Sequence, residues 1–324
     1  MFDKTKRKIN YLRLSITEIC NLKCQYCVPE KFKFNSDSNY LNSDEIEKII
    51  SAVGKLGIDK IRITGGEPLT RKDFGVILKK INNNSTIKKI AVTTNGIDLL
   101  ENLEQYKKDG LTNINISLDS LSPQKYNSIT RGGDFSKIFK TIKKAVELNF
   151  EKVRLNVVIM RGVNDDEIFD FVELTKNLNI GVRFIELMPI GEGRNFNPLS
   201  NDEVLTLIKE KYSIINNKKD SNDGPAKYFK VKGYKGEIGF ISPLSNRFCE
   251  KCNRVRVTSS GFLKLCLHYN EGIDLKPYLK DSISCDELAQ IIKNAIYNKP
   301  KEHNMTCNTD NENTDTRRMN EIGG

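Results

Sequence analysis

A chain of 324 residues with 38% apolar side chains is long enough for one large α/β unit with a smaller one beside it, and apolar enough to fill a core. No run of 18 apolar residues occurs, and the basic stretch Met1 to Asn10 leads into no uninterrupted apolar segment. A membrane span and a secretory leader are therefore not expected, which points to a cytoplasmic protein. The net charge of +10, from 52 Lys and Arg against 42 Asp and Glu, favours an anionic partner. The lysines are scattered, Trp is absent and no RNA-binding aromatic signature is present, so nucleic acid is not the expected partner.

The first informative stretch follows the apolar run Tyr11 to Ile16. It carries Cys20, Cys24 and Cys27, a C-x3-C-x2-C loop with Tyr26 before the third thiol. Thiolates are soft ligands for iron–sulfur clusters or zinc. Eight cysteines in a reducing compartment argue for metal rather than disulfides. Three thiols leave one iron of a cubane open to another ligand, and the spacing resembles that of the radical S-adenosylmethionine (SAM) superfamily. That resemblance implies that SAM chelates the open iron, and that the reduced cluster cleaves it to a 5′-deoxyadenosyl radical. A zinc site with a remote fourth ligand is the alternative reading of the loop.

Beyond it, Asn42 and Glu45 form a capping-box pattern, and Ile46, Ile49, Ile50, Val53 and Leu56 recur at helical spacing up to Gly57. The strand Lys60 to Thr64 precedes Gly65-Gly66-Glu67-Pro68. Further strands are expected near 88–93, 112–118, 152–159 and 181–187, with helices near 73–82, 98–108, 136–149 and 165–178. Six strands alternating with helices predict an α/β fold, a partial (β/α)6 TIM-type barrel. Loops after its strands would gather at one mouth: the cysteines, Gly65 to Pro68, Thr93-Thr94-Asn95-Gly96, Ser117 to Ser120, and Glu186-Leu187-Met188-Pro189.

Alternation along the strands carries a second message. Arg13, Arg62, Arg154 and Arg183 each stand between apolar neighbours, so if those face the helices the arginines face the lumen. Some could pair with acids or lie at the wet rim. As a set they favour a phosphate-bearing substrate, since unpaired guanidinium groups are costly to bury and match phosphate geometry.

After residue 195 the pattern changes. A helix is expected over 201–211, followed by a turn-rich stretch, Asn216 to Gly224, and short strand-like pieces punctuated by Gly233, Gly236 and Gly239. Cys249, Cys252 and Cys266 form a second three-thiol set, with His268 available to complete a zinc site. Spacing alone leaves zinc and an iron–sulfur cluster open. Arg254 and Arg256 alternate onto one face beside it, while Cys285 and Cys307 have no partner at informative spacing. A helix near 285–297 leads to a polar tail, 299–324, whose composition predicts disorder. Its terminal Gly323-Gly324 could nonetheless enter a cleft.

Taken together, these motifs resemble the MoaA-type GTP 3′,8-cyclases of molybdenum cofactor biosynthesis over nearly the whole chain. The match rests on the first cysteine loop, Thr64 to Pro68, Thr93 to Gly96, Arg183-Phe184-Ile185-Glu186-Leu187-Met188, Asp223-Gly224-Pro225-Ala226, the C-x2-C-N-R-V-R run with Cys266, and the Gly-Gly end. The resemblance implies a lyase with two [4Fe-4S] clusters, on Cys20, Cys24 and Cys27 and on Cys249, Cys252 and Cys266. It further implies SAM contacts from Tyr26, Gly66, Ser117 and Met188, and GTP contacts from Arg13, Arg62, Thr93, Arg154, Arg254, Val255 and Arg256. Position 154 departs from the lysine common in the family. Arg254, Arg256, Gly323 and Gly324 are implied to serve turnover.

The implied units are a radical SAM barrel over 1–195, a smaller C-terminal domain with the second cluster over 196–298, and the tail over 299–324. The implied partners are an unidentified electron donor and the cyclic pyranopterin monophosphate synthase that takes the product, in a chain expected to form a homodimer. The rival readings are a radical SAM enzyme acting on peptides through an auxiliary cluster, and a non-enzymatic module with two structural metals. The first would usually carry more C-terminal cysteines, and neither explains the paired arginines or the Gly-Gly end.

Overall fold

The computed structural model describes residues 1–34, 39–217, 224–279, 283–304 and 315–324. Asp223 and Cys307 lie outside the described residues, as do most of the turn-rich stretch 216–224 and part of the tail.

Six strands run in chain order: β1 (Tyr11–Ser15), β2 (Lys60–Thr64), β3 (Lys89–Thr94), β4 (Asn113–Ser117), β5 (Lys152–Ile159) and β6 (Gly181–Glu186). All pair in parallel with their sequence neighbours. The helices on their outer side are α1 (Ser43–Lys55), α2 (Phe74–Asn83), α3 (Leu103–Lys108), α4 (Pro123–Thr130), α5 (Phe135–Glu147) and α6 (Ile168–Asn177). The capping box at α1 is formed as the sequence indicates, with Asn42 accepting from Asp44 and Glu45. Gly57, at φ +78°, turns the chain out of the helix.

Helix α4 is not in the sequence reading. Ser122 caps it and Pro123 opens it, but its polar composition shows little apolar periodicity.

The C-terminal part supplies α7 (Asn201–Lys211), β7 (Ile214–Asn216), β8 (Lys227–Val231), β9 (Glu237–Ile241), β10 (Arg254–Val257), β11 (Phe262–Lys264), β12 (Gly272–Asp274), α8 (Cys285–Tyr297) and α9 (Met319–Ile322). Its strands extend the same sheet at both edges, in the order β12-β11-β10-β1-β2-β3-β4-β5-β6-β9-β8-β7. Because β10 pairs in parallel with β1 and β9 with β6, the six-strand arc is widened by one parallel strand on each flank.

Leu12, Leu14, Ile61, Ile63, Leu155 and Phe184 are fully buried in the core between sheet and helices. The alternating positions are thereby turned to the concave side. The register then sets Arg256, Arg13 and Arg62 directly side by side on β10, β1 and β2.

Candidate active site

The concave side encloses a cavity of about 350 Å³ at the carboxyl ends of the parallel strands. All six clustered cysteines line it: Cys20, Cys24 and Cys27 from the loop after β1, and Cys249, Cys252 and Cys266 from the C-terminal part. The carboxyl ends of β2, β3, β4 and β6 and the loops after them contribute Gly65-Gly66-Glu67, Thr93-Thr94-Asn95, Ser117 and Glu186-Leu187-Met188. The single mouth expected from the sequence is formed.

Each thiol trio is gathered closely enough for its members to interact electrostatically. Among the described residues, however, no three His, Cys, Asp or Glu side chains form a cage for one ion. Three thiols apiece suit either zinc with a further ligand or a cluster with one open iron. Burial pushes Cys20 up to about 12 and Cys27 up to about 11, so these thiols ionise when metal displaces the proton. At Cys252 burial also pushes upward, but Lys299 and then Arg254 outweigh it and bring the thiol down to about 6. His268, which the sequence offers as a fourth zinc ligand for the second trio, instead turns Nε2 to Asn304 Oδ1 at 3.0 Å.

The arginine row gives the floor of the cavity its charge. Arg13, Arg62, Arg183, Arg254 and Arg256 all line it. Burial, then Arg254, lowers Arg256 to about 10. Burial raises Tyr11, but the cations Arg62, Arg13, Lys60 and Arg254 outweigh it and pull the phenol down to about 8. Buried Nε atoms of Arg13, Arg62 and Arg183 find no hydrogen-bond partner among the described residues. Unsatisfied donors on crowded cations suit a polyanionic ligand. Arg183 is the most committed of them, donating from Nη2 to Asn115 and Asn156, both at 2.5 Å.

Of the other residues singled out from the sequence, Tyr26, Gly66, Ser117, Met188 and Thr93 line the cavity. Arg154 and Val255 are not among the lining residues: Val255 points into the core, and Arg154, 1% exposed, stands over the ring of Tyr228 at 5.6 Å.

The disorder expected of the tail from its composition is corrected for its end. Arg256 Nη1 donates to Gly323 O at 2.7 Å, Thr64 Oγ1 to Gly324 O at 2.6 Å, and Arg13 also reaches Gly324 O. Gly323 has φ +88°, and a Cβ there would stand 2.8 Å from Ser15 Cβ. Only glycine fits that approach.

Three acting residues carry no local signal that assigned them a role. Glu67, 1% exposed, accepts from Thr94 Oγ1 at 2.7 Å and Asn95 N at 2.6 Å, and burial lifts it to about 7. Asp119 accepts from Tyr26 Oη at 2.7 Å and is lifted by burial to about 6. Arg7 is held by Asp3 and donates to the carbonyl oxygens of Cys249, Pro300 and Lys301 at 2.9, 2.6 and 2.7 Å. It thus ties the second cysteine loop to the start of the tail.

Comparison with known proteins agrees with this geometry. Residues 14–175 match the radical SAM superfamily and residues 180–305 match Molybdenum Cofactor Synthesis C. The chain is 44% identical over 326 residues to the GTP 3′,8-cyclase of Clostridium perfringens (strain SM101 / Type A), and 46% over 328 residues to that of Clostridium botulinum (strain Okra / Type B1). Both alignments span 100% of each chain. The chain belongs to the GTP 3′,8-cyclase family. Among solved structures, Streptococcus suis SuiB bound to S-adenosylmethionine shares the fold, with a TM-score of 0.61 at 14% identity over 90% of this chain and 67% of that one.

Membership in the GTP 3′,8-cyclase family closes the question left open by the second cysteine set. The cofactors are SAM and two [4Fe-4S] clusters, one in each half of the chain. No helix among the described residues is long and apolar enough to cross a membrane.

Proposed function

We propose that this chain is a GTP 3′,8-cyclase, the enzyme that converts GTP to (8S)-3′,8-cyclo-7,8-dihydroguanosine 5′-triphosphate in the first step of molybdenum cofactor biosynthesis. The reading is carried by one observation: two thiol trios and a row of arginines line the same cavity, in a chain 44–46% identical to curated cyclases over its full length. When bound, the first cluster and SAM supply a 5′-deoxyadenosyl radical. GTP loses H3′ to that radical, its C3′ bonds to guanine C8, and one electron and one proton complete the product.

The protein's own residues bind, orient and enclose. Cys20, Cys24 and Cys27 would hold the first cluster and Cys249, Cys252 and Cys266 the second, which would offer a Lewis-acidic site on the substrate side of the cavity. Tyr26, Gly66, Ser117 and Met188 hold SAM. Arg13, Arg62, Thr93, Arg254 and Arg256 hold the nucleotide, with guanidinium forks meeting phosphate oxygens. Arg154, behind the cavity wall, contributes positive charge. Gly323 and Gly324 complete the floor next to Arg13 and Arg256, and the enclosed site keeps water and stray hydrogen donors from the radical.

The division into a radical SAM unit over 1–195, a second-cluster unit over 196–298 and a tail over 299–324 belongs to the same reading. So do a cytoplasmic location, an external electron donor, transfer of the product to cyclic pyranopterin monophosphate synthase and assembly as a homodimer.

The test is SAM cleavage by anaerobically reconstituted protein with dithionite, in the presence of GTP, ATP or no nucleotide. Stimulation of 5′-deoxyadenosine formation by GTP alone supports the reading. Equal cleavage in all three would retain the radical chemistry and reject the substrate.

A further inference from the structure

The described end of the tail, residues 315–324, is held at its first residue as well as at its last. Lys264 is fully buried, and its Nζ pairs with the carboxylate of Asp315, itself 8% exposed, while also donating to Tyr269 O at 2.7 Å. Asp315 in turn donates its backbone N–H to His268 O at 2.8 Å and accepts from Arg317 N at 2.8 Å and Arg317 Nη1 at 3.1 Å. Lys264 and His268 stand two residues before and two after Cys266. The segment 315–317 therefore grips both sides of a cluster ligand.

From that anchor the chain crosses to the other thiol trio. Arg318 lies over the ring of Phe32 at 4.8 Å, the backbone of Asn320 lies close enough to the Cys27 thiol to oppose the upward push of burial, and the Asn320 side chain donates to Glu18 O at 3.2 Å. Helix α9 then delivers Gly323 and Gly324 to Arg256, Arg13 and Thr64. One stretch of chain thus touches both cysteine loops and ends among the arginines.

We propose that Asp315, paired with Lys264, is a positioning residue that sets the register of this strap and thereby places the Gly323 and Gly324 carbonyls on the substrate-side arginines. A slip of one residue displaces a chain by about 3.3 Å, beyond the tolerance of a hydrogen bond, so an unanchored tail loses its contacts to Arg256 and Thr64. A buried ion pair is well suited to fixing register, because leaving either partner alone in the interior is strongly unfavourable. The inference rests on the cyclase reading only for its catalytic consequence.

The experiment compares wild type with Asp315→Asn, both reconstituted with clusters. Three quantities are measured: iron per chain, hydrogen exchange of the peptide covering residues 319–324, and cyclised product formed per 5′-deoxyadenosine. The anchor predicts unchanged iron, exchange at least tenfold faster in 319–324, and a product ratio reduced at least tenfold. Asp315→Glu, which keeps the charge, recovers part of both losses. Should Asp315→Asn fail to fold, the double variant Lys264→Met/Asp315→Leu leaves no lone buried charge and is read for the same exchange and ratio. Unchanged exchange in 319–324, or faster exchange with an unchanged product ratio, overturns the proposal. If wild type makes no product from GTP, the cyclase reading fails separately, while the exchange comparison still decides whether Asp315 anchors the tail.

Discussion

Arg256 donates from Nη1 to the carbonyl oxygen of Gly323 at 2.7 Å. A strand residue four positions past Cys252 thus holds Gly323. Arg256 also stands in register with Arg13, so the tail, the β10–β1 end of the parallel arc and the second cysteine loop share one point.

Replacing Arg256 by alanine removes a buried fork from that point. Turnover of GTP is expected to fall on the order of 100-fold, since truncating a charge-assisted contact in a desolvated site costs roughly 3 kcal/mol. Arg256→Lys keeps the charge but not the planar fork, and recovers only part of the loss. Steady-state kinetics with GTP varied at saturating SAM measures both.

At Gly66 a Cβ would stand 2.4 Å from Ile19 O and 2.5 Å from Glu18 O. Both are backbone atoms of the loop that leads into Cys20, so no side chain can move aside. Gly66→Ala is expected to cost roughly 1–3 kcal/mol of stability and to weaken SAM binding about tenfold or more. Thermal unfolding and equilibrium SAM binding read the two effects.

Cys266→Ser removes one thiolate of the second trio and leaves the first intact. Iron per chain should drop from about eight to about four after reconstitution. Reductive cleavage of SAM without nucleotide should persist while GTP cyclisation is lost. Loss of SAM cleavage as well would mean that the two sites are not separable.

Glu67 carries the pH dependence. Its folded pKa, lifted by burial to about 7, lies above the ordinary 4.5, so the protonated form is the one the fold favours. The associated stability is fully present below about 4.5 and is lost as pH rises through about 7. Glu67→Gln keeps a neutral side chain at every pH, so the thermal midpoint of the variant relative to wild type should rise between pH 5.5 and pH 8. A difference independent of pH would assign the shift elsewhere.

Much of this architecture is legible locally. The capping box at Asn42 and Glu45, the period of α1 and the alternation that turns Arg13 and Arg62 inward all depend on residues a few positions apart. The cysteine spacings likewise mark both trios without any knowledge of the fold. What escapes the sequence depends on distant pairing: β10 lies against β1 across more than half the chain, and only that register reveals Arg256 as the neighbour of Arg13. Lys264 and Asp315 are 51 positions apart, and Arg7 acts on the carbonyl of Cys249 from 242 positions away.

Composition also misleads where burial is achieved by polar residues. The tail reads as disordered because it lacks an apolar stripe, yet its end is fixed by carbonyl contacts to arginines and by glycine's access to a narrow gap. Helix α4 escapes for a related reason, since Ser122 and Pro123 start it but few of its residues face the core.

The central claim is that the radical generated at one end of the cavity acts on the ribose of GTP held at the other. GTP deuterated at C3′, turned over anaerobically with SAM and dithionite, tests it directly. The account predicts 5′-deoxyadenosine one mass unit heavier, formed together with the cyclised triphosphate. Unlabelled 5′-deoxyadenosine, formed at the same rate with and without GTP, would contradict it.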